Sequence, residues 1–535
     1  MSKRNWQAAA WPVALALLVG LPFLGKPFHI DDPVVLAIAR QVLHHPGQPF
    51  AGQLNWFDRP QPIFAVTTNP PLLSYWLAPV LAACGLREMP LHVAMLPFLV
   101  ILALATASLS RRFAGGSAWP VLLVMLSPAV VVSSNLMRDV PAAALAAAAL
   151  ALFVAGVDRE RWPLALAGSL LVGLAMLTKY SSVMLFVVAA GYLLVQGRRR
   201  WAWTLLPGLG LVGLWCLQNW LTAGQTHLGF LWATQGNPAG WQERLWPLFV
   251  TVGPSLLVFP ALLAALAAGR QRWALAGCLL AGALVPLAAL RHLGQAVSGQ
   301  YLLWSAAGAL LLAALAAGAL SRPAPEGASR RDDGFLLLWA ALVLAFGVWG
   351  ISFQAVRHLI PALVPMALLA TRQLAGLRAR WVGVTLAGLV LLQGALAFAV
   401  AAADYEYAGA YRRFARQAQA EYAGQRVWFS GHWGWQVYAQ EAGFRQVSDS
   451  GPAPTPGDLL IIPDRVYKGM LPPGLESHLL PVKETVLPGR IPLRVMDGYR
   501  AGFYATGDGL VPFTFTRERE LEVFRIYLVT GEGHG

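Results

Sequence analysis

Long apolar segments recur along the chain and are separated by short polar stretches. A helix needs about 20 predominantly apolar residues to cross a bilayer, and most of these segments approach that length. Because only helices satisfy their own backbone groups in this way, the pattern predicts a polytopic α-helical membrane protein with about thirteen spans. The predicted spans are residues 8–24, 91–109, 119–135, 141–157, 164–177, 183–195, 205–221, 245–268, 275–290, 301–320, 335–353, 359–369 and 381–402.

Residues 26–90, between the first two predicted spans, have a different pattern. Pro33 to Leu43 has the amphipathic spacing of a short helix lying along a membrane surface. After the break at Asn69-Pro70-Pro71, Leu72 to Leu86 is apolar but short for a span. We expect both to be juxtamembrane helices on the outer face.

The basic residues predict the orientation. If Leu72 to Leu86 does not cross, the major Arg clusters fall on one side, which the positive-inside rule assigns to the cytoplasm. Lys3 and Arg4 precede the first span, and no convincing cleavage site follows, so we expect an uncleaved signal anchor. These features predict a bacterial inner (plasma) membrane protein with a cytoplasmic N-terminus and a cytoplasmic linker at Ser321 to Asp333.

Composition agrees with this class and excludes others. The 535 residues are 57% hydrophobic and 12% charged, and a soluble chain carries about twice that charged fraction. The formal charge of +14 lies mostly in short clusters between spans, so we expect no nucleic-acid partner. Cys84, Cys216 and Cys278 have apolar neighbours and no metal-type spacing, which indicates small hydrophobic residues rather than a disulfide framework or a metal site.

The chain becomes polar after Asp404. We therefore divide it into a transmembrane domain, 1–404, and a soluble periplasmic (extracytoplasmic) domain, 405–535. Strand-like runs at Val427 to Ser430 and Asp458 to Pro463, with a helical pattern at Trp435 to Ala442 between them, predict a small α/β unit.

Asp31 and Asp32 are the first candidates for chemistry because they follow the first apolar span directly. A carboxylate pair at a membrane boundary is costly unless it is solvated, paired or used. The simpler alternative is a wet loop whose acids cap the helix starting at Pro33.

Other polar groups reach the same outer face. Asp139 is a further candidate catalytic acid. The candidate substrate-binding residues are Asn69, Tyr75, Arg138, Lys179, Arg291, Arg357 and His358. Carboxylates facing cations suit a reaction in which an acid accepts a proton from an acceptor hydroxyl while cations hold a lipid-linked phosphate as the leaving group. For Lys179 the alternative is a snorkelling residue at a helix end.

Five motifs in order along residues 8–400 resemble one known group. They are IDDPVVLAIARQVL, NPPLLSYW, SSNLMRDVPAAAL, LTKYSS and RHLIPALVP. Together they are similar to the GT-C polyprenyl-phosphate-sugar glycosyltransferases, in particular the family 39 branch that includes protein O-mannosyltransferases and the aminoarabinose transferase of lipid A.

The resemblance implies a GT-C-like fold and a mechanism. Asp31 would be the catalytic base, Asp32 its neighbour and Asp139 the second acidic position, while the cations would bind the donor phosphate. Asn69 stands where many relatives carry His or Lys, and Val34 where some carry Arg. No DxD motif follows the first span, so an obligatory metal is not expected; the donor is a substrate, and no cofactor is expected.

These observations favour an inverting glycosyltransferase that uses a polyprenyl-phosphate sugar and an acceptor that is a lipid, a glycan or a protein. A transporter or flippase of lipid-linked saccharides would explain the spans and buried charges but not a folded outer domain. A polysaccharide polymerase or ligase without a monosaccharide-phosphate donor is a third possibility.

Overall fold

The computed structural model describes residues 3–234, 241–269, 271–293, 299–321, 329–375, 380–465, 468–498 and 500–531. Most of the predicted linker 321–333 lies outside these residues. The helices are α1 Lys3–Gly20, α2 Asp32–His44, α3 Ile63–Val66, α4 Leu72–Cys84, α5 Glu88–Val93, α6 Leu96–Phe113, α7 Trp119–Met125, α8 Pro128–Val131, α9 Asp139–Asp158, α10 Trp162–Thr178, α11 Met184–Val195, α12 Leu206–Ala223, α13 His227–Thr234, α14 Trp241–Val252, α15 Phe259–Ala268, α16 Arg272–Leu293, α17 Gly299–Ser321, α18 Arg330–Trp349, α19 Ile360–Ala375, α20 Arg380–Glu421 and α21 Trp433–Glu441. The strands are β1 Gln53–Asn55, β2 Pro60–Pro62, β3 Val427–Phe429, β4 Arg445–Gln446, β5 Leu459–Pro463, β6 Leu479–Pro488, β7 Leu493–Arg494, β8 Thr514–Phe515 and β9 Glu520–Val529.

The apolar helices make this a multi-pass membrane protein. Within the described residues, eight helical segments are long and apolar enough to cross a bilayer, and five more apolar helices have 10–17 residues. The count of about thirteen spans stays a prediction, since the shorter helices are not assigned by length alone. The two predicted surface helices are present as α2 and α4, and they pack together through a hydrogen bond from Ser74 Oγ to the Val35 carbonyl (2.9 Å).

Two predicted spans were wrong as continuous helices. Residues 119–135 form α7, α8 and an irregular segment, and residues 245–268 are divided between α14 and α15. Pro128 and Pro254 account for the breaks, since proline lacks the N–H that a helix interior needs. Between the predicted spans 205–221 and 245–268 the chain also contains a helix, α13.

Hydrogen bonds inside the protein satisfy backbone groups at both breaks. Ser127 Oγ donates to the Ser255 carbonyl (2.8 Å). Gln393 of α20, fully buried, donates to the Leu123 carbonyl (2.8 Å) and accepts from the Leu257 N–H (3.0 Å). Irregular backbone at membrane depth is tolerated only where protein groups replace the missing helical bonds, and Gln393 supplies two of them.

Charged side chains gather at the two ends of the helical bundle. At one end Arg112 donates to Asp332 (3.0 and 3.1 Å) and pairs with Asp158, while Arg372 pairs with Asp333 at 2.6 Å. These residues belong to the predicted cytoplasmic ends. The outer-face candidates gather at the other end, as the charge register predicts, although which end faces the cytoplasm stays a prediction.

The C-terminal part contains a five-stranded sheet in the order β4-β3-β5-β9-β6. Strand β3 is parallel to β4 and β5, whereas β9 is antiparallel to β5 and β6. Strands β3 and β5 and helix α21 confirm the predicted local elements. Helix α20 runs through Asp404 without a break, and Phe414 on its far half stacks on Phe524 of β9 (3.7 Å between ring centroids).

The separation of charged residues between the two ends of the helical bundle gives a prediction about topology. A cysteine in place of the exposed Glu476 should react with a membrane-impermeant maleimide from the outer side, because it lies in the C-terminal part. A cysteine in place of the exposed Arg161 should react only after permeabilisation, because it lies at the opposite end of the bundle. The reverse labelling pattern would invert the whole scheme.

Candidate functional site

Asp31 and Asp32 point in different directions because of the turn that precedes them. Ile30 has φ +44°, a conformation that a β-branched residue adopts only under strain. The Asp31 side chain is 35% exposed, whereas Asp32 is fully buried. The two adjacent acids therefore have different surroundings.

Asp31 is the N-cap residue of α2, but its side chain makes no capping hydrogen bond. Its carboxylate instead accepts a bond from Arg357 Nη2 at 3.2 Å. The capping alternative therefore does not account for Asp31.

Asp32 has a structural partner. Its Oδ2 accepts the His29 backbone N–H (2.8 Å), and its Oδ1 has no hydrogen-bond partner. Burial raises the pKa of Asp32 from 3.8 to about 7. A pKa near 7 suits a general base, but a base must first reach the proton that it removes. The buried position of Asp32 leaves Asp31 as the accessible acid.

Asp139 and Lys179 form a buried ion pair. Asp139 is the first residue of α9, and Lys179 is an extended residue between α10 and the short 3₁₀ helix that precedes α11. Only 13% of the Lys179 side chain is exposed, and its ammonium group donates to Asp139 Oδ1. Because the ammonium turns into the protein rather than outward, the geometry contradicts the snorkelling alternative.

Arg357 connects the two acidic positions. Its Nη2 bonds Asp31, and its Nε lies 3.6 Å from Asp139 Oδ2. The guanidinium also lies over the ring of Tyr504, 5.6 Å from the centroid. A single buried arginine thus fixes both carboxylates relative to each other.

Arg138 is a buried cation with spare donors. It is 6% exposed, and among the described residues its Nε and Nη2 have no hydrogen-bond partner. Such groups carry a desolvation cost unless something accepts their hydrogen bonds. Next to Asp139 in the chain, Arg138 is suited to bind an anionic group.

A cavity adjoins the cations. It has about 400 Å³ of empty space including its mouth, and its apolar wall includes Val343, Phe346 and Ile351. Ser181, Ser182 and His358 supply polar groups on the same lining. Because Ser181 and His358 lie next to the segments of Lys179 and Arg357, the polar lining borders the charged residues.

Three predicted residues lie outside this arrangement. Asn69 bonds the neighbouring Thr68 (2.9 Å), and Tyr75 donates to the Pro46 carbonyl. Arg291 is exposed on the last turn of α16. The sequence motifs did not predict that these three residues lie apart from the other candidates. Within the described ranges, none of the three bonds to Asp31, Asp139 or Arg357.

A second polar cluster supports the site from behind. Asp404 of α20 pairs with Lys26 and accepts from the Tyr504 hydroxyl (2.5 Å). Asn135 donates to Tyr504 (2.8 Å) and accepts from Lys26 (2.5 Å). Sequence reasoning missed this cluster; the signal was a lysine and an aspartate at the outer ends of two apolar spans, where unpaired charges are costly.

Within the part of the chain that the structure describes, no group of three His, Cys, Asp or Glu side chains could hold a metal ion. Independence from a metal remains an expectation.

Comparison with known proteins bears on the fold. The sequence model of the dolichyl-phosphate-mannose-protein mannosyltransferase family matches residues 68–221. The archaeal oligosaccharyltransferase AglB from Archaeoglobus fulgidus is similar in structure, with 13% identity, a TM-score of 0.50, and coverage of 83% of this chain and 64% of that chain. ArnT from Cupriavidus metallidurans is 15% identical over 86% of this chain and 93% of that chain, with a TM-score of 0.40. No curated protein matches the sequence.

The environment of Asp32 generates a prediction about stability. The folded protein keeps a proton on Asp32 up to about pH 7, whereas the unfolded chain releases it near pH 3.8. Stability should therefore fall as pH rises between these values, since the folded state binds more protons. Asp32→Asn keeps an acceptor for the His29 N–H and removes this slope, so its melting temperature should rise relative to that of wild type as the pH increases from about 4 to about 7. The exposed Asp449→Asn serves as control, and a parallel pH slope in Asp32→Asn would contradict the assignment.

Proposed function

We propose that this chain, a member of the GT-C superfamily that resembles the mannosyltransferases, moves a sugar from a polyprenyl-phosphate donor to an envelope acceptor on the outer face of the bacterial inner membrane. The observation that carries the proposal is the placement of Asp31. It is the half-exposed acid of the first outer loop, and Arg357 holds it beside the buried Asp139 and its partner Lys179.

Asp31 acts as the general base. Its carboxylate takes the proton from an acceptor hydroxyl while that oxygen forms a bond to the anomeric carbon of the donor. The bond from the anomeric carbon to the phosphate oxygen breaks, and polyprenyl phosphate leaves with the electron pair. A single displacement of this kind inverts the anomeric centre. Arg357 fixes the direction of the Asp31 carboxylate by a hydrogen bond from its Nη2.

The cations hold the leaving phosphate. Arg138 offers unpartnered N–H groups, and Lys179 and Arg357 add positive charge around Asp139. Charge that develops on the phosphate oxygen in the transition state is stabilised most strongly by donors already fixed in a dry site. Asp139 orients Lys179 and Arg357 rather than accepting a proton, because both cations neutralise it.

The apolar chain of the donor is placed at the mouth of the adjoining cavity. Its wall of Val343, Phe346 and Ile351 is apolar, and its polar lining borders the cations. A lipid phosphate has the same division between an apolar chain and an anionic head. ArnT from Cupriavidus metallidurans has been crystallised with undecaprenyl phosphate.

A flippase would need the same lipid-phosphate binding without the base. No observation favours that alternative, whereas Asp31 and Arg357 form an arrangement that transport does not require. The proposal does not specify the transferred sugar, and it includes an acceptor that is a lipid, a glycan or a protein.

Lys179 provides a test of donor binding. Lys179→Gln keeps a donor to Asp139 but removes the charge, so the Kd for undecaprenyl phosphate, followed by tryptophan fluorescence in detergent, should rise about tenfold or more. Lys179→Ala should in addition lower the melting temperature, because Asp139 then loses the cation that bonds it directly. The exposed Lys468→Ala is the matched control. An unchanged Kd in Lys179→Gln would show that Lys179 only neutralises Asp139.

Asp31 provides the central test. Purified protein is given polyprenyl-phosphate hexoses and pentoses with labelled sugars, and membranes from cells lacking the protein as acceptor. Wild type should transfer label, and Asp31→Asn should lower turnover about 10²- to 10⁴-fold because it cannot take the proton. The Kd for undecaprenyl phosphate should stay near wild type, as expected for an interaction made only in the transition state.

The controls separate the three acids. Asp32→Asn should change turnover less than Asp31→Asn, and the exposed Asp449→Asn should leave it unchanged. Full turnover in Asp31→Asn together with loss in Asp139→Asn would move the base to Asp139. Full transfer activity in the variants of all three acids would refute the proposed mechanism.

A further inference from the structure

The loop Ala501–Val511 of the C-terminal part packs against the site. The Val356 N–H donates to the Phe503 carbonyl (3.3 Å), and the Thr506 N–H donates to the Gln354 carbonyl (2.8 Å). These bonds attach the loop to the segment that carries Arg357. Tyr504 of the same loop lies under the Arg357 guanidinium.

The backbone of this loop is closely packed. A Cβ on Gly502 would lie 2.3 Å from the Ala505 carbonyl oxygen, and one on Gly509 would lie 2.3 Å from the Ala501 carbonyl carbon. The Gly502 N–H donates to the Val511 carbonyl (2.8 Å), and the Asp508 N–H donates to the Ala505 carbonyl (3.0 Å). Only glycines permit these backbone approaches, and the result is a fixed tip at residues 505–508.

Asp508 is the acid at this tip. It is half-buried, and within the described residues no hydrogen bond or ion pair engages its carboxylate. Burial and the nearby charge of Asp31 raise the pKa of Asp508, while Arg357 opposes the rise. Asp508 therefore lies in the same electrostatic environment as Asp31, although it comes from the other end of the chain.

An exposed aromatic ring borders the same place. Phe353 is 39% exposed, directly precedes Gln354, to which the loop is bonded, and lies 6.0 Å from the Arg357 guanidinium carbon. An exposed aromatic face with a nearby unpaired carboxylate offers both of the contacts that a sugar ring makes, since its C–H face is apolar and its hydroxyls are hydrogen-bond donors.

We infer that Phe353 and Asp508 form the acceptor subsite and that the acceptor group is a saccharide. The sugar ring packs on Phe353, and Asp508 accepts a hydrogen bond from one hydroxyl while Asp31 faces the hydroxyl that reacts. The saccharide belongs either to a free glycan or to a glycolipid headgroup. The inference rests on the proposed function and deepens it, because it assigns the acceptor side to the C-terminal loop.

The test separates acceptor binding from donor binding. The transfer assay is repeated with three acceptor fractions from cells lacking the protein, which contain water-soluble oligosaccharides, extracted glycolipids and proteins. Asp508→Asn should raise the apparent KM for one fraction about tenfold with little change in kcat, as expected when a charged hydrogen bond to a hydroxyl is lost. Phe353→Ala should raise the same KM, and Asp508→Glu should restore part of the affinity.

Three measurements make the outcome decisive. The Kd for undecaprenyl phosphate and the melting temperature should be unchanged in Asp508→Asn, whereas Asp497→Ala, which loses bonds that hold the loop, should lower the melting temperature. The exposed Glu476→Gln is the matched control. An unchanged KM in Asp508→Asn, or transfer only to a protein fraction, would overturn the inference while leaving Asp31 as the base. Absence of transfer by wild type would instead refute the proposed function.

Discussion

The buried carboxylate of Asp404 is the constraint on which the outer end of the molecule depends. It is fully buried, so it must be neutralised by groups from elsewhere in the chain. Lys26 comes from the first outer loop and Tyr504 from the C-terminal loop. Removing one partner of such a pair costs about 3–5 kcal/mol. The need to satisfy this charge therefore brings three distant segments together directly behind the site.

The same logic explains the geometry of the site itself. Asp31, Asp139 and Arg357 lie on separate elements, and each could be placed in many ways by its local sequence. The Arg357 guanidinium has a fixed orientation because it packs over the ring of Tyr504 and because both acids attract it. Since Tyr504 is in turn fixed by Asp404, the buried cluster positions the catalytic arrangement without touching a substrate. The strained backbone at Ile30 completes the arrangement by turning Asp31 outward and Asp32 inward.

Apolar periodicity predicted most helices, because length and hydropathy are local properties of the sequence. It failed at residues 119–135 and 245–268, where prolines end the helices and Gln393, far away in the chain, accepts and donates the missing bonds. In the site, motif order predicted Asp31, Asp139, Lys179 and Arg357, which do come together. It could not predict that Asn69, Tyr75 and Arg291 stay apart, nor that Tyr504 and Asp508 join, because these placements depend on long-range packing.

The helix α20 shows why composition alone misplaces the functional boundary. Its first half is apolar enough to cross a membrane, and its second half packs on the sheet through Phe414. The composition changes at Asp404, but the helix continues through this residue to Glu421. Because the helix is continuous and Asp404 is bonded on both sides, the C-terminal loop keeps a fixed position relative to Arg357. The part of the chain that looks like an appended domain thus supplies one wall of the site.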